Sequence, residues 1–271
     1  MSDPEPYDVN FCFPVPSVLE NERVKLVPFI PSIHTSAFFP SFQQYPQLTK
    51  YFIHGPLLTL AVFEEWVESE RRDPTKLLFA VFDKTRRSPM PHEVQGQRLL
   101  GDDSTASRGS DGAPAGTIGL LSASPQNLSV EIGRVKIFPP YQRTHVASNA
   151  VGLLLQYTLN TPIPPTGMNG EAHSCGISGL GLRRVTWVSH PLNEPSIRLA
   201  RRLGFKLEAT LRWDRALPPG KEDASNGHGI RCGDPKRDWT GWDTVLLSIC
   251  WDDWELDGGR ERVEEDMRRV R

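Results

Sequence analysis

The chain lacks any long apolar run: its longest, Leu57 to Phe63 and Val151 to Leu155, fall far short of the ~20 residues that span a bilayer. Its first residues, Met-Ser-Asp-Pro-Glu-Pro-Tyr-Asp, are acidic where a secretory leader is basic, and no apolar stretch follows them. No membrane partner is expected, and the expected location is cytoplasmic, so the sequon Asn127-Leu128-Ser129 has no access to glycosylation. An excess of one charge is missing too, with 33 acidic residues against 31 basic and no run of five or more like charges. That argues against a nucleic-acid partner, whose phosphates call for a basic stripe. The four cysteines, Cys12, Cys175, Cys232 and Cys250, are widely spaced and form no CxxC pair of the zinc-ribbon or redox kind. His173-x-Cys175 and His228-x-x-x-Cys232 each lack a second ligand pair at zinc spacing, so no metal is expected.

What is present is an alternation of strand-like and helix-like segments. Glu22 to Val27 alternates polar and apolar residues up to Pro28, and Leu77 to Phe82 is an apolar run of central-strand length. Helices are expected over Ser32 to Gln44 and Leu60 to Arg72. Gly116 to Ser122 and Leu128 to Phe138 form a hairpin around the turn residues Ala123 to Asn127. In the second of these strands the apolar positions change parity, from Val130 and Ile132 to Val135 and Ile137. One face stays buried through such a change only if a residue is inserted, so a β-bulge is expected near Gly133 and Arg134.

A helix from Thr144 or His145 to about Asn160 follows, on the spacing of Ala147, Ala150, Val151, Leu154 and Thr158. Gly152 costs that helix about 1 kcal/mol relative to Ala and marks close packing against the sheet. Then come a strand over Arg184 to Ser189, a short helix with Asn193 as N-cap and Gly204 just past its end, strands over Phe205 to Arg212 and Thr244 to Cys250, and a charged helix-like tail. Trp242, Trp251 and Trp254 are expected in core and edge packing, and packing is the first reading of Trp213 and Arg212 as well. The pattern indicates an α/β or α+β layer fold with a mixed sheet. One domain over 18–255 is expected, with polar loop insertions at about 85–115, 161–180 and 216–240, and with 1–17 and 256–271 as terminal extensions.

The chemistry centres on Pro139-Pro140-Tyr141 and the loop Gln142 to Ala147 that opens the long helix. A loop feeding a helix N-terminus presents unpaired N–H groups and the positive end of the dipole, which suits a pyrophosphate, and Arg143 and His145 can add charge. An ordinary strand-to-helix turn has the same outline. Glu131 reads either as a general base or as a solvated strand residue, and Asn193 and Ser196 suit a helix start whatever else they do.

Taken in chain order, Arg23-Val24-Lys25-Leu26, Glu131-Ile132-Gly133, Tyr141-Gln142 to Ala147, Asn193-x-x-Ser196 leading to Arg202-Leu203-Gly204-Phe205 with Glu208 and Arg212, and Asp243-Thr244 resemble GNAT acetyltransferases of the RimJ/RimL type. The likeness covers most of the chain outside its insertions. It implies the GNAT fold, a mixed, mostly antiparallel, splayed sheet flanked by helices, with acetyl-CoA as co-substrate. The pantetheine arm would pair with bulged-strand backbone near Val135 and Ile137. The pyrophosphate would rest on the family's (Gln/Arg)-x-x-Gly-x-(Gly/Ala) loop, here Gln142, Arg143, Thr144, His145, Val146 and Ala147. His145 stands where the family has its central glycine, a change tolerable where the backbone is helical and the contacts are N–H groups.

The resemblance further implies direct attack by an amine within a ternary complex, without a nucleophilic cysteine. Glu131 would take the amine proton, directly or through water; Ser196 would approach the thioester sulfur, and Asn193 would contact the pantetheine arm. An acceptor site lined by His34, Phe38, Phe39, Tyr51 and Phe52 would be aromatic and weakly charged, which fits a small, partly apolar amine or metabolite better than a polycation. The alternatives are a protein N-terminal acetyltransferase acting on a peptide N-terminus, a non-catalytic acyl-CoA-binding protein with the His145 loop as its motive, and an interaction protein whose insertions carry the contacts. A monomer or homodimer is expected.

Overall fold

A computed structural model of the protein describes residues 7–86, 112–162 and 178–269. Its strands are β1 (Leu19–Glu20), β2 (Val24–Pro28), β3 (Leu77–Asp83), β4 (Ala113–Ser124), β5 (Ser129–Ile137), β6 (Arg184–Ser189), β7 (Lys206–Leu217) and β8 (Thr240–Cys250). They form one sheet in the order β1-β2-β3-β4-β5-β6-β8-β7. Neighbours are antiparallel except for β5 with β6, so the sheet is mixed as the alternation of segments implies. The helices are α1 (Pro31–Gln44), α2 (Leu60–Arg71), α3 (His145–Leu159), α4 (Glu194–Arg202), α5 (Trp251–Glu255) and α6 (Gly259–Arg268). None of those described is long and apolar enough to cross a membrane.

The sheet opens between β5 and β6. They pair only where Ser129 to Glu131 meet Arg184 to Thr186, and beyond that point the strands diverge. The bulge read from the parity change lies at this divergence. Thr117 and Gly119 of β4 face Lys136 and Gly133, so Ile118 alone stands opposite both Arg134 and Val135. Such an insertion bends the strand and increases its twist. Arg134 takes a left-handed φ of 53°, costly for a residue with a Cβ. Its guanidinium is held in place by both carboxylate oxygens of Glu70 on α2, each at 2.9 Å.

The inserted residue also sets which side chains share a face. Val130, Ile132 and Ile137 turn into the core with α3, whose positions are buried nearly all round, as befits a central helix. Glu131, Gly133 and Lys136, which the register sets opposite Leu121, Gly119 and Thr117, occupy the other face. There α1 and α2 pack an aromatic cluster of Phe29, Phe38, Phe42, Phe63, Trp66 and Phe138.

Several expectations need revision. A Cβ on Gly152 would lie 2.3 Å from the Met267 sulfur, so the close approach is to α6, not to the sheet. Val263 and Met267 are part of the same core, and Asn149 and Arg23 both donate to the Met267 carbonyl, which makes α6 part of the packed unit and not an extension. Phe11 and Phe13 likewise pack on the core, and the Tyr157 hydroxyl donates to the Pro14 carbonyl. β4 begins at Ala113, inside the expected first insertion, and β7 and β8 run on to Leu217 and from Thr240, so their ladder narrows the third. Trp242 and Trp254 are buried, whereas Trp251 is exposed.

Gly152→Val should therefore destabilise the fold by about 1–3 kcal/mol through overpacking. Combined with Met267→Ala, which empties the clashing volume, it should cost less than the two single changes added together. Denaturant midpoints for the four proteins test this coupling.

Candidate active site

The divergence of β5 and β6 leaves a cleft of about 850 Å³. One wall is β5 from Glu131 to Ile137, and the other is Trp187 to His190 with the α4 side chains Asn193, Ser196, Arg198 and Arg202. Gln142, Arg143, Thr144 and Ala147 close one end, while Gln47 to His54, Lys76, Arg215 and Trp242 close the other. Because the Phe138 N–H bonds to the Ala115 carbonyl, the alternation of the ladder points the backbone groups of Val135 and Ile137 away from β4, into the opening.

At the first end Thr144 caps α3. Its hydroxyl accepts from the Val146 N–H at 3.3 Å and donates to the Tyr141 carbonyl at 2.6 Å. Gln142 braces the loop by donating from Nε2 to the Ile137 carbonyl at 2.9 Å, and Arg143 adopts a left-handed φ of 60°. The first-turn N–H groups of a helix have no intrahelical partner and attract anions. His145 belongs to the helix, so its backbone is in the helical region, but its ring turns away to lie 3.2 Å from Asp83 Oδ1 on β3. Burial lowers its pKa, with Asp83 opposing. His145 is therefore not among the residues lining the cleft, and neither is the buried Val146. Arg143 does line it.

Glu131 and Ser196 face the cleft from opposite walls. Gly133 makes room for the Glu131 carboxylate: a Cβ there would sit 3.1 Å from Oε1. Burial raises the Glu131 pKa to about 7, against the lowering pull of Arg134 and Arg215. The Ser196 hydroxyl accepts from the Trp187 indole N–H at 2.9 Å, which leaves its own proton free to be donated. Asn193 occupies the N-cap position of α4, but its side chain caps no N–H, contrary to the N-cap expectation, and it lines the cleft.

The far end differs from the aromatic, weakly charged lining expected. His34 and Phe38 are on the buried side of α1, and the half-buried Phe39 packs with the same aromatic cluster; of the five residues proposed, Tyr51 and Phe52 reach the cleft. The cleft as a whole is lined by Lys76, Arg134, Lys136, Arg143, Arg198, Arg202 and Arg215 against Glu131, five of these cations being paired with the carboxylates of Asp73, Glu70, Glu194, Asp266 and Asp214 behind them. Part of the third polar stretch holds this end together. Lys221 Nζ donates to the Thr49 carbonyl at 2.9 Å, His190 Nε2 lies 2.9 Å from the Ala224 carbonyl, and Tyr51 stacks on His190. Trp213 packs against Gly241 and, like Arg212, stays outside the lining. His228 and Cys232 join no three-ligand grouping among the described residues, and His173 and Cys175 lie outside them. Lys136, Lys76, Arg215, His190 and Trp242 are lining residues that sequence reading missed. Lys136 alone carried a signal: once the bulge is granted, parity places it on the Glu131 face.

The family described as "Acetyltransferase (GNAT) domain" matches residues 23–206. No curated protein matches the chain. Among solved structures, a GCN5-related N-acetyltransferase from Brucella melitensis superposes with a TM-score of 0.62 at 22% identity, covering 97% of this chain and 86% of that one. A spermidine N-acetyltransferase from Vibrio cholerae, in complex with CoA and spermine, gives 0.53 at 14% identity over 86% and 99%. RimL, a ribosomal L7/L12 alpha-N-protein acetyltransferase in complex with coenzyme A, gives 0.55 at 13% over 87% and 98%. At these identities the likeness is one of fold.

With its pKa at about 7 in the fold against an ordinary 4.5, Glu131 keeps its proton longer when folded. The folded state then binds more protons between those values, so stability falls as pH rises across that window and levels off above it. Glu131→Gln removes the penalty. Relative to wild type it should gain up to about 3 kcal/mol between pH 4.5 and pH 7, and nothing further above. Denaturant midpoints against pH test this, and a difference that does not vary with pH would contradict it.

Proposed function

Given that this chain belongs to the GNAT acetyltransferase family, we propose that it transfers an acetyl group from acetyl-CoA to an amine by direct attack in a ternary complex. The acceptor in this reading is a small amine or metabolite, and the enzyme is RimJ/RimL-like, cytoplasmic, and a monomer or homodimer. The observation that carries it is the placement of Glu131 and Ser196 on opposite walls of one cleft, with the α3 N-terminus at its end.

The cofactor lies along the divergence. Its pyrophosphate rests on the N–H groups of the Gln142 to Ala147 loop with Arg143 beside it. Its pantetheine arm follows the backbone of Val135 and Ile137 on one side and Asn193 on the other. His145 does not obstruct this, since its ring is engaged with Asp83. The motive for a non-catalytic reading thereby falls away. Glu131, titrating near neutral pH, takes a proton from the incoming ammonium, directly or through water. The amine nitrogen bonds to the acetyl carbonyl carbon, the carbon–sulfur bond breaks and the thiolate takes the Ser196 proton, while the second proton shed by the nitrogen restores the Ser196 hydroxyl and Glu131 returns its own proton to solvent.

A peptide N-terminus remains the second reading, because RimL, which shares this fold, is a ribosomal-protein N-acetyltransferase. A panel of small amines and N-terminal peptides, read by thiol release from acetyl-CoA, separates the two.

Wild-type turnover should rise with pH through about 7 as Glu131 ionises. Glu131→Gln should lose that limb and roughly 10²-fold or more in kcat at neutral pH. Asn193→Ala should raise the KM for acetyl-CoA with less effect on kcat. A Glu131→Gln turnover within about twofold of wild type at neutral and high pH would remove the general-base role.

A further inference from the structure

Lys136 is buried to 1% exposure in a protein whose other cleft cations have partners or water. Its Nζ has no hydrogen-bond partner. Its Nζ lies 4.0 Å from the Phe52 ring centroid and 4.4 Å from that of Trp66, and the residue is among those lining the cleft. The nearby carboxylate, Glu70, is fully engaged by Arg134. Three N–H donors of an ammonium left unmet away from water are costly. Two aromatic faces offset only part of that cost. Burial and the adjacent Arg134 charge accordingly push the amine's pKa well down, and an anion brought to Nζ would reverse both effects.

The bulge gives this amine its functional setting. It places Lys136 on the same face of β5 as Glu131, with their opposite numbers Thr117 and Leu121 four positions apart on β4, roughly 13 Å along the strand. Lys76 and Arg215 also line the cleft, but each stands beside a carboxylate of its own, Asp73 at 3.0 Å and Asp214 at 3.3 Å. Lys136 thus stands apart from the paired cations of the cleft as a buried amine whose Nζ has no hydrogen-bond partner, which an anionic group would supply.

We propose that the acceptor is an amine that also carries an anionic group, a carboxylate or a phosphate, and that Lys136 binds this anion while the amine meets Glu131. The proposal rests on the acetyltransferase reading above and narrows its substrate class.

The test uses matched acceptor pairs: ω-amino acids of graded length with their methylamides, and aminoalkyl phosphates with the corresponding amino alcohols. Thiol release is followed at saturating acetyl-CoA for wild type, Lys136→Met and Lys136→Arg, each checked for folding by its thermal midpoint. Wild type should prefer the anionic member of a pair by about tenfold or more in kcat/KM, the effect of one charge-assisted hydrogen bond, expressed mainly in KM. Whether carboxylates or phosphates show it identifies the anion. Lys136→Met should bring both members of the pair to the same kcat/KM, whereas Lys136→Arg should keep part of the preference. Equal use of both members by wild type overturns the proposal, as does a preference that survives in Lys136→Met. The wild-type comparison decides even if the variants do not fold. Failure of every amine to release thiol would instead overturn the acetyltransferase reading, and this inference with it.

Discussion

One extra residue in β5 governs the rest of the molecule. Where Ile118 must face both Arg134 and Val135, the β4–β5 ladder cannot continue flat, and β5 turns away from β6, which runs parallel to it. The cleft is the space that this turn opens. The same insertion exposes the Val135 and Ile137 backbone to the opening, and it carries Glu131, Gly133 and Lys136 to one face while Ile132 and Ile137 keep the core intact. The left-handed Arg134 is a strained residue at a functional position, held there by its bidentate pair with Glu70.

The two ends of the cleft answer to different physics. At the α3 end, recognition depends on backbone: a capped helix, a loop braced by Gln142, and unpaired N–H groups, with side chains such as His145 directed elsewhere. At the far end it depends on side chains fixed by long-range contacts, since Lys221 ties residues 49 and 54 to the third polar stretch and His190 bridges Tyr51 to Ala224. Burial raises the Glu131 pKa against the pull of Arg134 and Arg215, and leaves Lys136 Nζ without a hydrogen-bond partner.

Much of this was legible in the chain because it is local. Parity alone located the bulge, helical spacing located α3, and Gly204 marks the end of α4 with a positive φ of 96°. The wrong expectations concern contacts between distant residues. Gly152 announced a close approach, but its partner Met267 is more than a hundred positions away and periodicity cannot name it. His34 and Phe38 looked like site aromatics because nothing in α1 itself says that Phe29 and Phe82 will enclose them. Asn193 is a favourable capping residue by type, yet its backbone, at φ −85° and ψ 61°, leaves the side chain free of the helix. The cationic character of the cleft was hidden by a nearly neutral total, since its arginines and lysines come from every part of the chain.

The central claim is that the gap between β5 and β6 is an acetyl-CoA site. Calorimetric titration of the wild-type protein with acetyl-CoA tests it most directly, with Arg143→Ala titrated alongside. The account predicts saturable binding at one site per chain and weaker affinity in the variant. No heat, and no shift of the thermal midpoint, at about millimolar cofactor would contradict it, because ligand in excess of its Kd must stabilise the fold that binds it.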